Sequence, residues 1–132
     1  MNTNNKLKKV KAYRLSQEAL RNSALLRGVN LIAPETIFLS NDTSFGKNVT
    51  IEPYVVIGKK VKIGNDVLIK SFSHIEGARI ENKTSVGPYA RLREGTILEA
   101  GSKIGNFVET KKSKIGIKSK VSHLSYIGDA II

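Results

Sequence analysis

A period of six residues runs through most of this chain and restricts the fold more than any other feature. Aliphatic or aromatic residues stand at Phe45, Ile51, Ile57, Ile63, Ile69 and Ile75, then after a five-residue step at Ile80, Val86, Leu92, Leu98 and Ile104. The series skips through a lysine-rich segment and resumes at Ile115, Val121 and Ile127. Four residues after most of these comes a small or β-branched residue, as at Val49, Val55, Val61, Val67, Ser73, Thr84, Ala90, Thr96, Ser102 and Val108. Gly follows the first position at Gly46, Gly58, Gly64, Gly87, Gly105, Gly116 and Gly128. This period is neither the ~3.6 of a helix nor the alternation of a long strand. It fits short strands joined by turns, with one aliphatic residue per side pointing inward, a small residue near the corner and Gly easing the turn. Three hexads, about 18 residues, close one triangular coil, so residues 45–132 are expected to form a parallel β-helix of about five coils. The ends of such a stack expose strand edges unless capped. The final IGDAII stops inside a hexad, and no cap is visible there.

The segment ahead of the repeat reads differently. From Asn4 to Arg27, Leu7, Val10, Leu15, Ala19, Leu20, Ala24, Leu25 and Leu26 recur at roughly helical spacing without a proline, and Gly28 follows as a stop. One α-helix is expected over 1–28, its polar side carrying Lys6, Lys8, Lys9, Lys11 and Arg14 as solvated charges. Its apolar stripe requires a partner: the side of the repeat domain, another subunit or a further domain. Residues 29–44 read as an extended connector, with Pro34 preventing the helix from continuing.

Composition narrows the classes of function. Cysteine is absent, which excludes disulfides, thiolate metal sites and a cysteine nucleophile. No apolar run approaches the ~18 residues of a membrane span, and the polar, lysine-rich start lacks the core of a signal peptide, so a cytoplasmic protein is expected. The net charge of +11 invites a nucleic-acid reading. Aromatic and basic residues are not interleaved, however, so specific nucleic-acid binding is not expected; a positive field suits a phosphorylated small molecule equally well.

The lysine-rich interruption is the one stretch that gathers chemistry. Glu109, Lys111, Lys112, His123 and Tyr126 fall within Ile104–Ala130. Cations beside an imidazole suit a site that binds an anionic substrate and takes a proton from it, because a histidine of ordinary pKa, about 6.5, is largely neutral at physiological pH. His74 has no acidic or histidine neighbour at ligand spacing and no metal is expected. Asp66 and Asp129 read as turn residues, with orientation of His123 or of a substrate hydroxyl as the alternative for Asp129. Arg91 reads as a surface or interface residue, and Tyr89 as packing on an outer face beside it.

Three longer motifs, GPYARLREG (87–95), GNFVETKKSKIG (105–116) and SHLSYIGDA (122–130), carry a resemblance to a known family. With NNKLKKV (4–10) and LRGVNLIAPETI (26–37), the chain resembles the bacterial bifunctional N-acetylglucosamine-1-phosphate uridyltransferase / glucosamine-1-phosphate acetyltransferases. The resemblance implies that the coil is left-handed and that the protein is a homotrimer in UDP-N-acetylglucosamine and peptidoglycan precursor synthesis. It implies that Arg93 and Lys111 hold the sugar phosphate and Tyr126 contacts the substrate. His123 corresponds to the general base for the 2-amino group of glucosamine-1-phosphate as it attacks acetyl-CoA. Asn4 corresponds to a magnesium-binding asparagine of the uridyltransferase site, but the nucleotide loop and the partnering aspartate have no counterpart here, so uridyltransferase activity is not expected.

The family's later coils, which supply a further asparagine and lysine to the acceptor site and bind acetyl-CoA between subunits, also have no counterpart. Two readings follow. In one, the chain supplies the acceptor half of an acetyltransferase that a second chain completes by adding coils edge to edge. In the other it is a catalytically inactive, truncated β-helix serving at most as an oligomeric structural module.

Overall fold

The computed structural model describes residues 3–132, so positions 1 and 2 of the expected helix lie outside the described residues. The chain forms the expected parallel β-helix behind a single α-helix, α1 (Thr3–Leu26). Every strand pairing is parallel. One inward column reads Leu31, Ile51, Ile69, Val86, Ile104 and Val121, and a second reads Phe45, Ile63, Ile80, Leu98 and Ile115. Nearly all of these hexad positions are fully buried, each aliphatic side chain contributing about 2 to 3 kcal/mol of apolar burial.

Residues 29–44 are not a free connector. Asn30 and Leu31 pair with Thr50 and Ile51, while Ile37 and Phe38 pair with Val55 and Val56, so this segment lays down the first coil. The stack therefore has six rungs rather than five, followed outward along one column as Phe38, Val56, His74, Arg91, Glu109 and Tyr126. The hexad pattern begins late because the first coil holds Pro34 and a 3-10 turn (Pro34–Thr36) in place of a regular hexad.

The helix closes the upper end of this stack, and polar groups make the main contact. Gln17, almost fully buried, donates from Nε2 to the Leu39 carbonyl and accepts the Leu39 N–H on Oε1, both at 2.8 Å. Arg21 Nε donates to the Ile37 carbonyl at 2.7 Å, and its guanidinium lies 5.0 Å over the Phe38 ring. These side chains satisfy backbone groups at the first coil's open edge, where no strand could. Apolar packing comes from Ala24, the partly buried Leu20 and Tyr13, whose ring stacks on Phe38 with centroids 6.2 Å apart; Leu7, Val10, Leu15 and Leu26 of the expected stripe are exposed.

The corners correct the expected role of glycine. Most corners are turned by non-glycine residues at positive φ, among them Asn48, Tyr54, Lys60, Asp66, Phe72, Lys83, Tyr89, Phe107, Lys112, Lys118, Leu124 and Asp129. Each left-handed residue costs on the order of 1 kcal/mol or more, and contacts between successive corners offset it. Tyr54, Phe72, Tyr89 and Phe107 stack one on the next with ring centroids 5.3, 4.9 and 5.0 Å apart. At another corner Asn48 Nδ2 donates to Asp66 Oδ1 at 2.7 Å. Apart from Gly87 (φ 90), the hexad glycines serve close approach instead: a Cβ on Gly46 would meet the Gly64 backbone at 2.5 Å, and one on Gly105 would overlap the Ser122 carbonyl oxygen.

Candidate functional site

Two long parallel strands, Lys103–Lys111 and Lys120–Gly128, carry most of the residues singled out from the sequence. Their register sets Asn106 opposite His123, Glu109 opposite Tyr126 and Lys111 opposite Gly128. Each strand bends through a left-handed residue, Phe107 (φ 55) in one and Leu124 (φ 51) in the other. Before the bend the first strand pairs with Ser85–Val86, and after it with Ala90–Leu92, so the bend carries it from one face of the prism to the next.

On the face after the bend, Val108 and Thr110 point inward and are buried, which turns Glu109 and Lys111 outward. Arg91, Glu109 and Tyr126 form one outward column, and Arg93, Lys111 and Gly128 form the next. Arg93 Nη1 donates to Glu109 Oε2 at 3.0 Å, and Arg91 Nη1 stands 3.9 Å from the same oxygen. This half-buried carboxylate fixes the direction of Arg93, while Lys111 has no acidic partner among the described residues. Tyr126 lies back along its strand over Gly128: a Cβ there would sit 2.6 Å from the phenol oxygen. Because Gly128 registers with Lys111, the hydroxyl comes to the lysine's column.

Arg93, Lys111 and Tyr126 are thus brought together on one face. His123 is not with them; it stands on the neighbouring face, exposed, beyond the Leu124 corner. A cleft of about 420 Å³ lined by Tyr89, Arg91, Phe107, Glu109, Leu124 and Tyr126 lies along that corner. On the opposite side of the cations a notch of about 400 Å³ is lined by Lys59, Lys60, Glu76, Gly77, Arg93, Glu94 and Lys111. Lys112 turns the next corner (φ 46) and is exposed, so only one lysine of the pair faces the site. Asp129 (φ 49) turns the same corner one rung on, its N–H donating to the Lys111 carbonyl, as a turn residue should. A face's width separates it from His123, which removes the orienting role. Tyr89 is a member of the aromatic corner stack, and His74 sits exposed in the column above Arg91.

Three residues acquire roles that the sequence did not disclose. Glu109 orients Arg93, Gly128 seats the Tyr126 ring, and Thr110 fills the inward position that the hexad series skips. Thr110 is completely buried, with its hydroxyl 2.9 Å from that of Thr96. Its place six residues after Ile104 was the available signal, hidden because the lysines around it dominate the local composition.

Chemically, a guanidinium, an ammonium and a phenol sharing one surface present several donors to a phosphate or sulfate group. An exposed imidazole a corner away adds a proton acceptor.

Comparisons with known proteins agree with this architecture. The profile of the bacterial transferase hexapeptide family (six repeats) matches residues 42–77. The chain is 52% identical over 127 residues to the bifunctional protein GlmU of Azorhizobium caulinodans, covering 96% of this chain and 28% of that protein. It is 50% identical over 129 residues to the bifunctional protein GlmU of Zymomonas mobilis, covering 98% of this chain and 29% of the relative. The chain therefore spans less than a third of the length of the curated relatives it matches. Among solved structures, the acetyltransferase domain of PglB from Neisseria gonorrhoeae superposes with a TM-score of 0.54 at 15% identity, covering 81% of this chain and 60% of that one. The same domain in complex with acetyl coenzyme A gives 0.51 at 15% identity, covering 88% and 63%. At such identity the shared feature is the fold.

Proposed function

We propose that this chain, which corresponds in sequence to a segment of the bifunctional GlmU proteins, supplies the acceptor half of a glucosamine-1-phosphate N-acetyltransferase site. The observation that carries the reading is the shared outward face of Arg93, Lys111 and Tyr126, with Glu109 directing the arginine. Arg93 and Lys111 hold the sugar phosphate through charge-assisted hydrogen bonds, and Tyr126 contacts the sugar. The 2-amino nitrogen attacks the thioester carbonyl of acetyl-CoA, His123 accepts the proton that the nitrogen loses, and the carbon–sulfur bond breaks as the leaving sulfur takes up a proton, leaving as the CoA thiol. General-base help of this kind contributes about 10² to 10⁴ in rate.

The position of His123 one corner away supports an oligomeric site, since a prism face is closed most simply by another copy of the same face. A homotrimer with acetyl-CoA as co-substrate, working in the cytoplasm on the route to UDP-N-acetylglucosamine, is the assembly proposed. No helix of the described residues is long and apolar enough to cross a membrane.

The test is thiol release from acetyl-CoA in the presence of glucosamine-1-phosphate, by the chain alone and mixed with a polypeptide that contributes further hexapeptide coils. The chain has no cysteine, so a thiol-reactive dye reads CoA alone. Release that requires the sugar phosphate and disappears in His123→Ala supports the enzyme. Folded protein giving no release in either mixture favours the structural-module reading.

A further inference from the structure

The cations expected to hold the phosphate are only part of a larger cationic notch. Lys59, Lys60, Arg93 and Lys111 line it together with Glu76, Glu94 and Gly77. The notch exists because of how the corner is built. Lys60 turns this corner at φ 59, and the next two rungs turn it with Gly77 (φ 54) and Gly95 (φ 84) before Lys112. Two successive rungs therefore present no side chain at the corner, and the lysines above face Arg93 and Lys111 across the gap. Neither glycine is replaceable by a side chain without collision: a Cβ on Gly77 would lie 2.8 Å from Glu94 Cα, and one on Gly95 3.0 Å from Lys112 Cα.

The charges favour an anion. Arg93 shares its guanidinium with Glu109 at 3.0 Å, so it arrives at the notch with part of its charge already compensated. Lys111 alone balances one negative charge of a phosphate monoester. Lys59 and Lys60 make no ion pair among the described residues, and both are exposed toward solvent. Four cations against Glu76, Glu94 and the Glu109 carboxylate that engages Arg93 leave a surplus of positive charge, which suits a phosphate monoester.

We propose that Lys59 and Lys60 are further phosphate-binding residues, completing with Arg93 and Lys111 a four-cation seat for the phosphate monoester of the acceptor. This rests on the acceptor-site reading above for the identity of the sugar, but not for the anion. Bound phosphate lies in the notch beside Gly77, within reach of flexible lysine stems from above and of the fixed arginine from below. Discrimination between a phosphorylated and an unphosphorylated amino sugar then depends on two rungs that carry none of the motif residues.

The experiment is an NMR titration of the full chain with inorganic phosphate and separately with glucosamine-1-phosphate, comparing wild type with Lys59→Ala/Lys60→Ala, Lys59→Arg and Arg93→Ala. The expected result is saturable phosphate binding that shifts the Gly77 and Lys111 amides, weakens about 10-fold in the double variant and returns in Lys59→Arg, as loss of charge-assisted contacts requires. Its dependence on salt also becomes shallower in the double variant, because fewer charges are neutralised. Phosphate binding unchanged in Lys59→Ala/Lys60→Ala, or no binding to the wild type, overturns the four-cation seat whatever the sugar phosphate does. Phosphate bound through Lys59 and Lys60 with glucosamine-1-phosphate bound no more tightly supports the seat and refutes the sugar reading.

Discussion

Replacing Gln17 by Ala is expected to destabilise the protein more than any other substitution on α1. The side chain makes two hydrogen bonds of 2.8 Å to a single residue, Leu39, in a place where both partners are buried. Truncation leaves one N–H and one C=O without partners, at about 1 to 3 kcal/mol each, or roughly 2 to 6 kcal/mol together. For a domain of this size each kcal/mol moves the midpoint by about 3 to 5 °C, so Gln17→Ala lowers Tm by about 6 °C or more. Because a solenoid transmits stability only between neighbouring rungs, the damage starts at the first coil. Hydrogen exchange read alongside thermal unfolding should show the Leu39 amide losing protection, while Ile97 and Ile115 in the lower coils keep theirs. Gln17→Glu retains an acceptor for the Leu39 N–H but sets a carboxylate against its carbonyl, and it too should be strongly destabilised. A shift under about 2 °C with Leu39 still protected would refute the assignment of Gln17 as the cap.

Other interior contacts give sharp contrasts. Thr110→Val strands the hydroxyl of Thr96 and should cost about 1 to 2 kcal/mol, whereas Thr96→Val/Thr110→Val removes both hydroxyls and should be close to neutral; urea unfolding of the two variants separates these outcomes. Gly105→Ala drives a methyl into the Ser122 carbonyl and parts the two long strands, so a loss of about 3 kcal/mol or more is expected in the same assay. Ser102 Oγ is buried with no hydrogen-bond partner among the described residues, and Ser102→Ala should stabilise by up to about 1 kcal/mol, seen as a raised Tm.

How much of this was legible depends on which physical effect each residue reports. The hexad aliphatics disclosed the coil because burial on a triangular prism leaves a period that nothing else produces, and Ile51, Ile69, Ile75 and Leu98 are all completely buried. The first coil was hidden because Pro34 and the 3-10 turn at Pro34–Thr36 interrupt it, although Leu31 and Ile37, and Leu39 and Phe45, each stand six residues apart. The cap was hidden for a different reason: Gln17 and Arg21 look like solvent-facing helix residues, and only the open edge beside them makes them interior. At the site, family motifs marked Arg93, Lys111, Tyr126 and His123 without revealing that a left-handed residue at Leu124 divides them between two faces. The Lys59–Lys60 wall of the notch belongs to a coil three rungs from Lys111, a proximity that only stacking creates.

The most direct measurement of the central claim is the affinity of the chain for glucosamine-1-phosphate, followed by amide shifts in wild type and in Arg93→Ala. The expected result is saturable binding that perturbs Lys111, Tyr126 and Gly128, the residues sharing that face, and that falls at least about 10-fold in Arg93→Ala, as loss of a charge-assisted contact requires. Binding that is absent, or that leaves this face unperturbed and ignores Arg93, would contradict the acceptor-site account.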